Sequence, residues 1–268
     1  MQGRLLPKYR GRYQAHPVGY WEQEFELAQS IGLDCIEFIL DFNDAEKNPL
    51  LEKGGVEEIL SITDKTSVSV KTVCADFFME APLHSKDKAI SELSQEVMKR
   101  LLNSSAELGV TDVVVPCVDK SSLANQQAVN RFIEKMMPCV QVAEKKGINL
   151  SLETDLPPRA FLELLERFDS EHVTVNYDIG NSAALGYDSV EEFEAYGNRI
   201  TDVHIKDREF GGGPIILGEG VADFDTVFSK LSELNYQGPF IMQAYRDEEG
   251  VDVFNRQLGW VKPYLDDM

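Results

Sequence analysis

Four polar residues that can bind a metal ion each lie near the end of a separate short apolar run. The runs and residues are NLSLETD with Glu153, VTVNYDIG with Asp178, ITDVHIKD with His204, and GPFIMQAYR with Gln243. Each run predicts a buried strand, and the runs recur at the spacing of alternating strands and helices. If parallel strands close into a barrel, these side chains converge at one end of it. Oxygen and imidazole ligands on rigid strands suit a divalent metal of the Mn²⁺, Mg²⁺, Co²⁺ or Zn²⁺ kind.

Three of these residues also have an ordinary structural interpretation. Glu153 could form a salt bridge with Lys206 or Arg246, which would offset the cost of burying a carboxylate. Asp178 could cap the start of a helix, because it lies where a strand passes into a loop. A lone histidine on a strand, such as His204, is more often a core residue than a ligand. Two acidic residues at equivalent strand ends favour the ligand interpretation here.

Apolar runs of strand length alternate with amphipathic stretches of helix length along the whole chain. Strands that are buried on both faces and alternate with helices indicate a parallel sheet. The predicted strands are Cys35–Asp41, Val68–Asp76, Asp112–Asp119, Asn149–Asp155, Val173–Gly180, Ile200–Asp207 and Pro239–Arg246. The predicted helices are Trp21–Ile31, Gly55–Asp64, Lys86–Leu108, Ala124–Lys146, Pro158–Phe168, Ser189–Tyr196, Phe224–Leu234 and Val253–Leu265.

This pattern of elements lacks one strand at its start. Only Met1–Leu5 can provide it, so we expect a first strand that is short or truncated. Eight strand–helix units in 268 residues predict an α/β fold, a (β/α)₈ TIM barrel that forms a single domain over residues 1–268. A doubly wound open sheet is the alternative, but no GxGxxG follows an early strand.

The composition argues against several classes of partner. The chain has 26 Lys and Arg against 46 Asp and Glu, a formal net charge of −20. Such a charge repels nucleic acid and anionic membranes unless a basic patch overrides it, and no run of Lys or Arg is present. No apolar stretch reaches about 18 residues, and the start lacks an apolar signal core. The four cysteines form no CxxC pair, so we expect free thiols and a cytoplasmic protein.

Several residues near the strand ends could bind a substrate. Lys206 follows His204 in the same strand phase and should face the same pocket, while Arg208 and Arg246 lie at strand ends. These cations suit an anionic group such as phosphate or carboxylate, or they balance the barrel carboxylates. Glu37, in CIEFILD, could bond a substrate hydroxyl or form a structural ion pair.

Taken together, these segments resemble the sugar phosphate isomerase/epimerase family, the xylose-isomerase-like TIM barrels related to the endonuclease IV branch. The resemblance runs nearly end to end and includes QGRL, CADFFMEAPL, LSLETD, VNYDIGN, VHIKDR, LGEGVADF and LNYQGPFIMQAYR. HIKDR followed by LGEG and a last strand is fairly specific, whereas each piece alone is weak. The resemblance implies an ion, usually Mn²⁺, held by Glu, Asp, His and Glu on the last four barrel strands. It also implies that the two glutamates act as acid and base, and that the chain could form a homo-oligomer.

Glu153, Asp178 and His204 match the first three family positions, but the fourth is Gln243. An amide carbonyl can still bind a metal, although the ligand set loses one negative charge, which weakens the binding of hard cations. Glutamine cannot accept a proton near neutral pH, so a second proton transfer needs another group. A further departure is Asn181, where the family often has histidine three residues after the aspartate.

The first hypothesis is a metal-dependent isomerase or epimerase of a sugar, ketose or sugar phosphate, which works through a metal-stabilised cis-enediolate. Glu153 moves one proton, and Asp155, Lys206 and Glu37 are the nearest candidates for the second. A catalytically degenerate sugar-binding barrel is one alternative, and Gln243 motivates it. A polyol keto-acid dehydratase is another, because the same enediolate can expel a leaving group. A DNA-repair endonuclease needs many histidines at three zinc ions, and this acidic chain has only four.

Overall fold

The structure is a computed structural model that describes residues 1–3, 5–246 and 250–268. Its strands are β1 (Cys35–Ile39), β2 (Ser69–Cys74), β3 (Asp112–Cys117), β4 (Asn149–Thr154), β5 (Val173–Asp178), β6 (Ile200–Ile205), β7 (Asp207–Arg208), β8 (Pro214–Ile215) and β9 (Phe240–Met242). Its helices are α1 (Gln23–Ser30), α2 (Gly55–Thr66), α3 (Phe77–Glu80), α4 (Lys88–Leu108), α5 (Gln126–Lys146), α6 (Pro158–Glu166), α7 (Ile179–Leu185), α8 (Ser189–Tyr196), α9 (Phe224–Glu233) and α10 (Val251–Asp266).

Seven strands form one parallel sheet in the order β1-β2-β3-β4-β5-β6-β9. Every residue of β3 and of β5 is buried, as expected for strands with the barrel interior on one side and helices on the other. The two-residue strands β7 and β8 form a separate antiparallel pair in the loop after β6. The sheet and its helices confirm the predicted TIM barrel.

The start of the chain occupies the place of the missing first strand. The Met1 ammonium donates to the Cys35 carbonyl at 3.1 Å, and the Glu37 amide donates to the Met1 carbonyl at 2.8 Å. On the other side, the Gln2 amide donates to the Met242 carbonyl at 3.2 Å. Met1 and Gln2 therefore connect β1 with β9, which confirms a shortened first strand. Below them, at the amino ends of the strands, lies a cavity of about 1140 Å³.

The long helices cover the barrel with one apolar face each. In α5, buried Phe132, Met136, Val140 and Ala143 recur every three or four residues. The helix begins where the Asn125 side chain accepts a hydrogen bond from the Ala128 amide, and it ends at glycine in the left-handed region. Among the described residues, no helix combines the length and apolar character that crossing a membrane requires.

Predicted strands extend too far where a helix or loop starts directly at the strand end. The predicted strand for β5 extends to Gly180, but α7 begins at Ile179. The helix begins there because the Asp178 carboxylate accepts a hydrogen bond from the backbone N–H of Asn181 at 2.8 Å. In the same way, α3 follows β2 after two residues. The last strand stops at Met242, which pairs with the final residue of β6, and so leaves Gln243 just beyond the sheet.

Candidate active site

Glu153, Asp178 and His204 meet at the carboxyl end of the barrel. They lie on the neighbouring strands β4, β5 and β6, and Asp178 pairs with His204 in the sheet register. One ligand atom from each residue lies within 4.8 Å of the other two, and all three side chains are buried. This spacing allows a single divalent cation to contact two carboxylates and an imidazole nitrogen.

Gln243 lies against the same histidine. Its Nε2 is 2.8 Å from His204 Nδ1, and Asp178 Oδ2 is 3.9 Å from that nitrogen. Gln243 Oε1 is buried and has no hydrogen-bond partner among the residues that the structure describes. A half-turn of the amide exchanges its oxygen and nitrogen and brings the carbonyl to the Nδ1 side. A buried oxygen beside two carboxylates and an imidazole is a group that a cation would satisfy, so the four residues fit a divalent metal.

Glu37 lies on the opposite side of the His204 ring. Its Oε1 is 3.0 Å from His204 Nε2, and its Oε2 accepts a hydrogen bond from the Thr72 hydroxyl at 2.8 Å. Asp202 Oδ2 lies 3.8 Å from the same nitrogen. All of these side chains are fully buried. Glu37 thus forms the ion pair that the sequence allowed, and its carboxylate does not face the open end of the barrel.

The carboxylates and the imidazole change the pKa values of one another. Burial opposes a charged His204, but Glu37 and Asp178 outweigh this effect and hold the pKa of His204 well above its ordinary value. Burial also opposes an ionised Asp178, but the Lys206 ammonium outweighs it and lowers the pKa of Asp178. Burial, followed by the charge of Asp178, raises the pKa of Glu153. Environments that separate two neighbouring carboxyl groups in this way are typical of acid–base sites.

We expect Glu37→Gln to weaken Mn²⁺ binding by about 10–100-fold, the usual effect of removing a carboxylate behind a histidine ligand. Glu37 Oε1 lies 3.0 Å from Nε2, and in the metal-bound protein this contact would keep the ring oriented with Nδ1 toward Asp178 and the other ligands. Titration calorimetry of metal-free protein measures the change. Asp112→Asn is the matched control, since this buried aspartate bonds Thr201 and Asn149 at the amino ends of the strands. Equal losses in both variants would contradict the assignment.

A chain of polar contacts holds Glu153 from the other side. Asn181 Nδ2 donates to Glu153 Oε1 at 2.6 Å, and Arg208 Nη1 donates to Asn181 Oδ1 at 2.7 Å. Lys206 donates to Asp178 Oδ2 at 2.7 Å, so its salt bridge is with Asp178 and not with Glu153. Asp178 also caps α7 through its other carboxylate oxygen. It therefore caps a helix and lies beside Glu153 and His204 at the same time.

Arg246 contacts the loop at the start of the chain. Its Nη1 donates to the Leu6 carbonyl at 2.5 Å, and its guanidinium lies 4.2 Å from the centre of the Tyr13 ring. These contacts join the end of the barrel to the loop that follows Gln2. Of the three predicted cations, Lys206 contacts Asp178, Arg208 contacts Asn181, which in turn contacts Glu153, and Arg246 contacts this loop.

Sequence reasoning missed two buried aspartates near the site. Asp202 precedes His204 by two residues and shares its strand phase, so the alternation in ITDVHIKD could have revealed it. Asp207 is also fully buried and accepts hydrogen bonds from the amides of Gly218, Gly220 and Ala222. It thereby holds the LGEGVA segment in place beside the mouth of the barrel.

This geometry agrees with a comparison against known protein families. The sequence profile described as xylose isomerase-like TIM barrel matches residues 25–264. The chain belongs to this family. The resemblance recognised in the sequence is therefore confirmed, over most of the length of the chain.

Curated and solved relatives cover almost the whole barrel. L-ribulose-5-phosphate 3-epimerase UlaE from Escherichia coli O1:K1 / APEC is 26% identical over 261 residues, which cover 92% of this chain and 91% of UlaE. A D-tagatose 3-epimerase-like protein superposes with a TM-score of 0.74 at 21% identity, over 90% of this chain and 91% of that one. A xylose isomerase-like TIM barrel protein from Mycobacterium smegmatis was solved in complex with magnesium. It superposes with a TM-score of 0.72 at 18% identity, over 93% of this chain and 89% of that one.

Proposed function

We propose that this protein is a metal-dependent epimerase or isomerase of a small sugar, ketose or sugar phosphate. The observation that carries the proposal is the convergence of Glu153, Asp178 and His204 within 4.8 Å at the carboxyl end of the barrel. The named activities of UlaE and the D-tagatose 3-epimerase-like protein support epimerisation. The magnesium complex of the M. smegmatis relative supports a divalent cation, for which we propose Mn²⁺.

Glu153, Asp178, His204 and the carbonyl of Gln243 would hold the metal ion. When bound, a divalent cation supplies positive charge that stabilises the oxygens of a substrate on which negative charge develops. Lys206 keeps Asp178 ionised by its salt bridge. Asn181 donates a hydrogen bond to Glu153 Oε1, which leaves Oε2 to take a proton from the substrate. That proton comes from the carbon that carries a hydroxyl and is bonded to the carbonyl carbon. Loss of that proton produces a cis-enediolate, the shared intermediate of isomerisation and epimerisation.

One observation favours a binding barrel without catalysis as the second candidate. Gln243 Nε2 contacts His204 Nδ1 and Lys206 contacts Asp178, so each of these ligand groups already has a polar neighbour inside the protein. Such contacts can replace the metal as partners of the buried charges. In that case the pocket would bind a sugar but would not turn it over.

Elemental analysis followed by Mn²⁺ titration of the metal-free protein decides between these candidates. We expect about one ion per chain, because the ligand atoms form one cluster. L-ribulose 5-phosphate, D-tagatose and D-allulose are then incubated with the loaded protein, and their epimers are separated by chromatography. A protein that binds no ion and converts none of these sugars would favour the binding barrel.

A further inference from the structure

Gln243 stands where the resemblance implies the second acid–base glutamate, and its amide cannot exchange a proton near neutral pH. The three groups suggested by sequence all have other contacts. Asp155 accepts a hydrogen bond from Ser122 at 3.0 Å, and Lys206 is bonded to Asp178. Glu37 lies behind the His204 ring and is fully buried. These contacts favour a different residue as the source of the second proton.

Asp76 is a buried carboxyl group at the same end of the barrel. It follows β2 by two residues, and only 9% of it is exposed. Although it precedes α3, its side chain does not cap that helix. Within the described part of the chain, the only hydrogen bond to its carboxyl comes from the Cys74 thiol, at 3.2 Å. A thiol is a weak donor, so a buried carboxylate here is poorly stabilised.

Three other aspartates at this end have charged or backbone-amide donors, which Asp76 does not have among the described residues. Asp41, at the end of β1, is paired with Arg12 at 2.5 Å. Asp178 has the Lys206 ammonium, and Asp207 has several backbone amides. Within the described part of the chain Asp76 has no cationic or backbone-amide donor of this kind, so little stabilises a negative charge on its carboxyl.

The surroundings of Asp76 place it within electrostatic reach of the proposed base. Burial raises the pKa of Asp76; the Cys74 hydrogen bond opposes this effect and the charges of Asp41, Glu153 and Glu37 add to it, so that the pKa lies at about 7. Both forms of the group are therefore populated near neutral pH, which suits general acid–base catalysis. In the sheet, β3 separates β2 from β4, so Asp76 and Glu153 approach the site from different strands.

We propose that Asp76 is the second acid–base group of the epimerisation, acting on the face of the substrate opposite Glu153; this rests on the proposed function. Glu153 takes the proton from the carbon, and the electrons of the broken C–H bond form the enediolate double bond. Asp76 then gives its proton to the same carbon from the other side and forms the new C–H bond. Glu153 is left protonated and Asp76 ionised, and exchange with solvent restores both. In the reverse direction the two residues exchange roles.

The test is Asp76→Asn, assayed in D₂O with whichever of L-ribulose 5-phosphate, D-tagatose or D-allulose the wild-type protein converts. We expect epimer formation to fall about 10²–10⁴-fold. Deuterium should still enter the recovered substrate, because Glu153 can remove the proton and return a deuteron from the same face. Mn²⁺ affinity should be unchanged, since Asp76 is not one of the metal-binding residues.

Two further variants separate this role from a structural one. Asp41→Asn, at the end of the adjacent strand, should retain wild-type epimerisation. Adding Gln243→Glu to Asp76→Asn should restore much of the lost rate, because the glutamate supplies a second proton-transfer group. If Asp76→Asn does not fold, Asp76→Ser carries the same test with a smaller side chain.

The outcomes of these assays are distinguishable. Wild-type rates in Asp76→Asn, or loss of deuterium exchange together with epimerisation, would overturn the role of Asp76 and leave the proposed function intact. If the wild-type protein neither exchanges deuterium nor forms an epimer with any of the three sugars, the proposed function fails and the role of Asp76 fails with it.

Discussion

Replacing Glu153 with glutamine is expected to reduce turnover by about 10²–10⁴-fold while the protein stays folded. Glutamine has the same shape, and its carbonyl can accept the hydrogen bond that Asn181 donates to Glu153 Oε1. It cannot take a proton from a carbon atom, so the first step of the reaction is lost. Steady-state kinetics with the sugar that the wild-type protein converts measures the effect, and thermal unfolding by circular dichroism checks the fold.

Glu192→Gln is a suitable control for this experiment. Glu192 is also a buried glutamate, and it accepts hydrogen bonds from the hydroxyls of Tyr177, Ser182 and Tyr196. In the part of the chain that the structure describes, it forms no hydrogen bond with a proposed metal ligand. The glutamine of the Glu192→Gln variant can accept some of the same hydrogen bonds through its carbonyl oxygen, so turnover should stay close to wild type. If Glu153→Gln retains wild-type turnover, Glu153 is not the base.

Replacing His204 with alanine should abolish Mn²⁺ binding and also lower the free energy of unfolding by about 3–5 kcal/mol. The ring lies between Glu37 and Asp202 on one side and Asp178 on the other, and all of these groups are buried. Its removal leaves buried carboxyl groups without their imidazole partner, which is the costly way to break a buried ion pair. Calorimetry measures the metal affinity, and urea unfolding of the metal-free protein measures the stability.

A double variant distinguishes the two effects of this substitution. Combining Glu37→Gln with His204→Ala removes the unpaired Glu37 carboxylate together with the ring. Much of the stability that His204→Ala loses should therefore return. Metal binding should not return, because Nδ1 is still absent. Strong Mn²⁺ binding by His204→Ala would exclude the imidazole from the ligand set, and unchanged stability would mean that the buried contacts with Glu37 contribute little.

The order of secondary structure follows directly from local patterns in the chain. The predicted apolar runs contain the barrel strands, which are three to six residues long, and the periodic apolar face of α5 packs against the barrel. Gly109 and Gly147 lie shortly before strands and end α4 and α5 in the left-handed region, a helix stop signal that can be read from the sequence. These features depend on neighbouring residues, so a single sequence is enough to reveal them.

The grouping of Glu153, Asp178 and His204 was also predictable, because parallel barrel strands bring their carboxyl ends together. The shortened first strand followed from the same count of elements, and Met1 and Gln2 indeed lie between β1 and β9. Topology alone is sufficient for such predictions, since it requires only the order and direction of the strands.

Only the tertiary structure decided which side chains contact one another. Lys206 could have paired with Glu153, but the register of β5 and β6 places it against Asp178. Glu37 is far from His204 in sequence, and only closure of the barrel brings its carboxylate behind the ring. The sequence did not distinguish Asp76 from other aspartates near strand ends, and only the structure shows that, among the described residues, the Cys74 thiol is the one donor to its carboxyl. Partners across a barrel depend on strand register, on rotamers and on the burial of each atom, and none of these is a local property of the sequence.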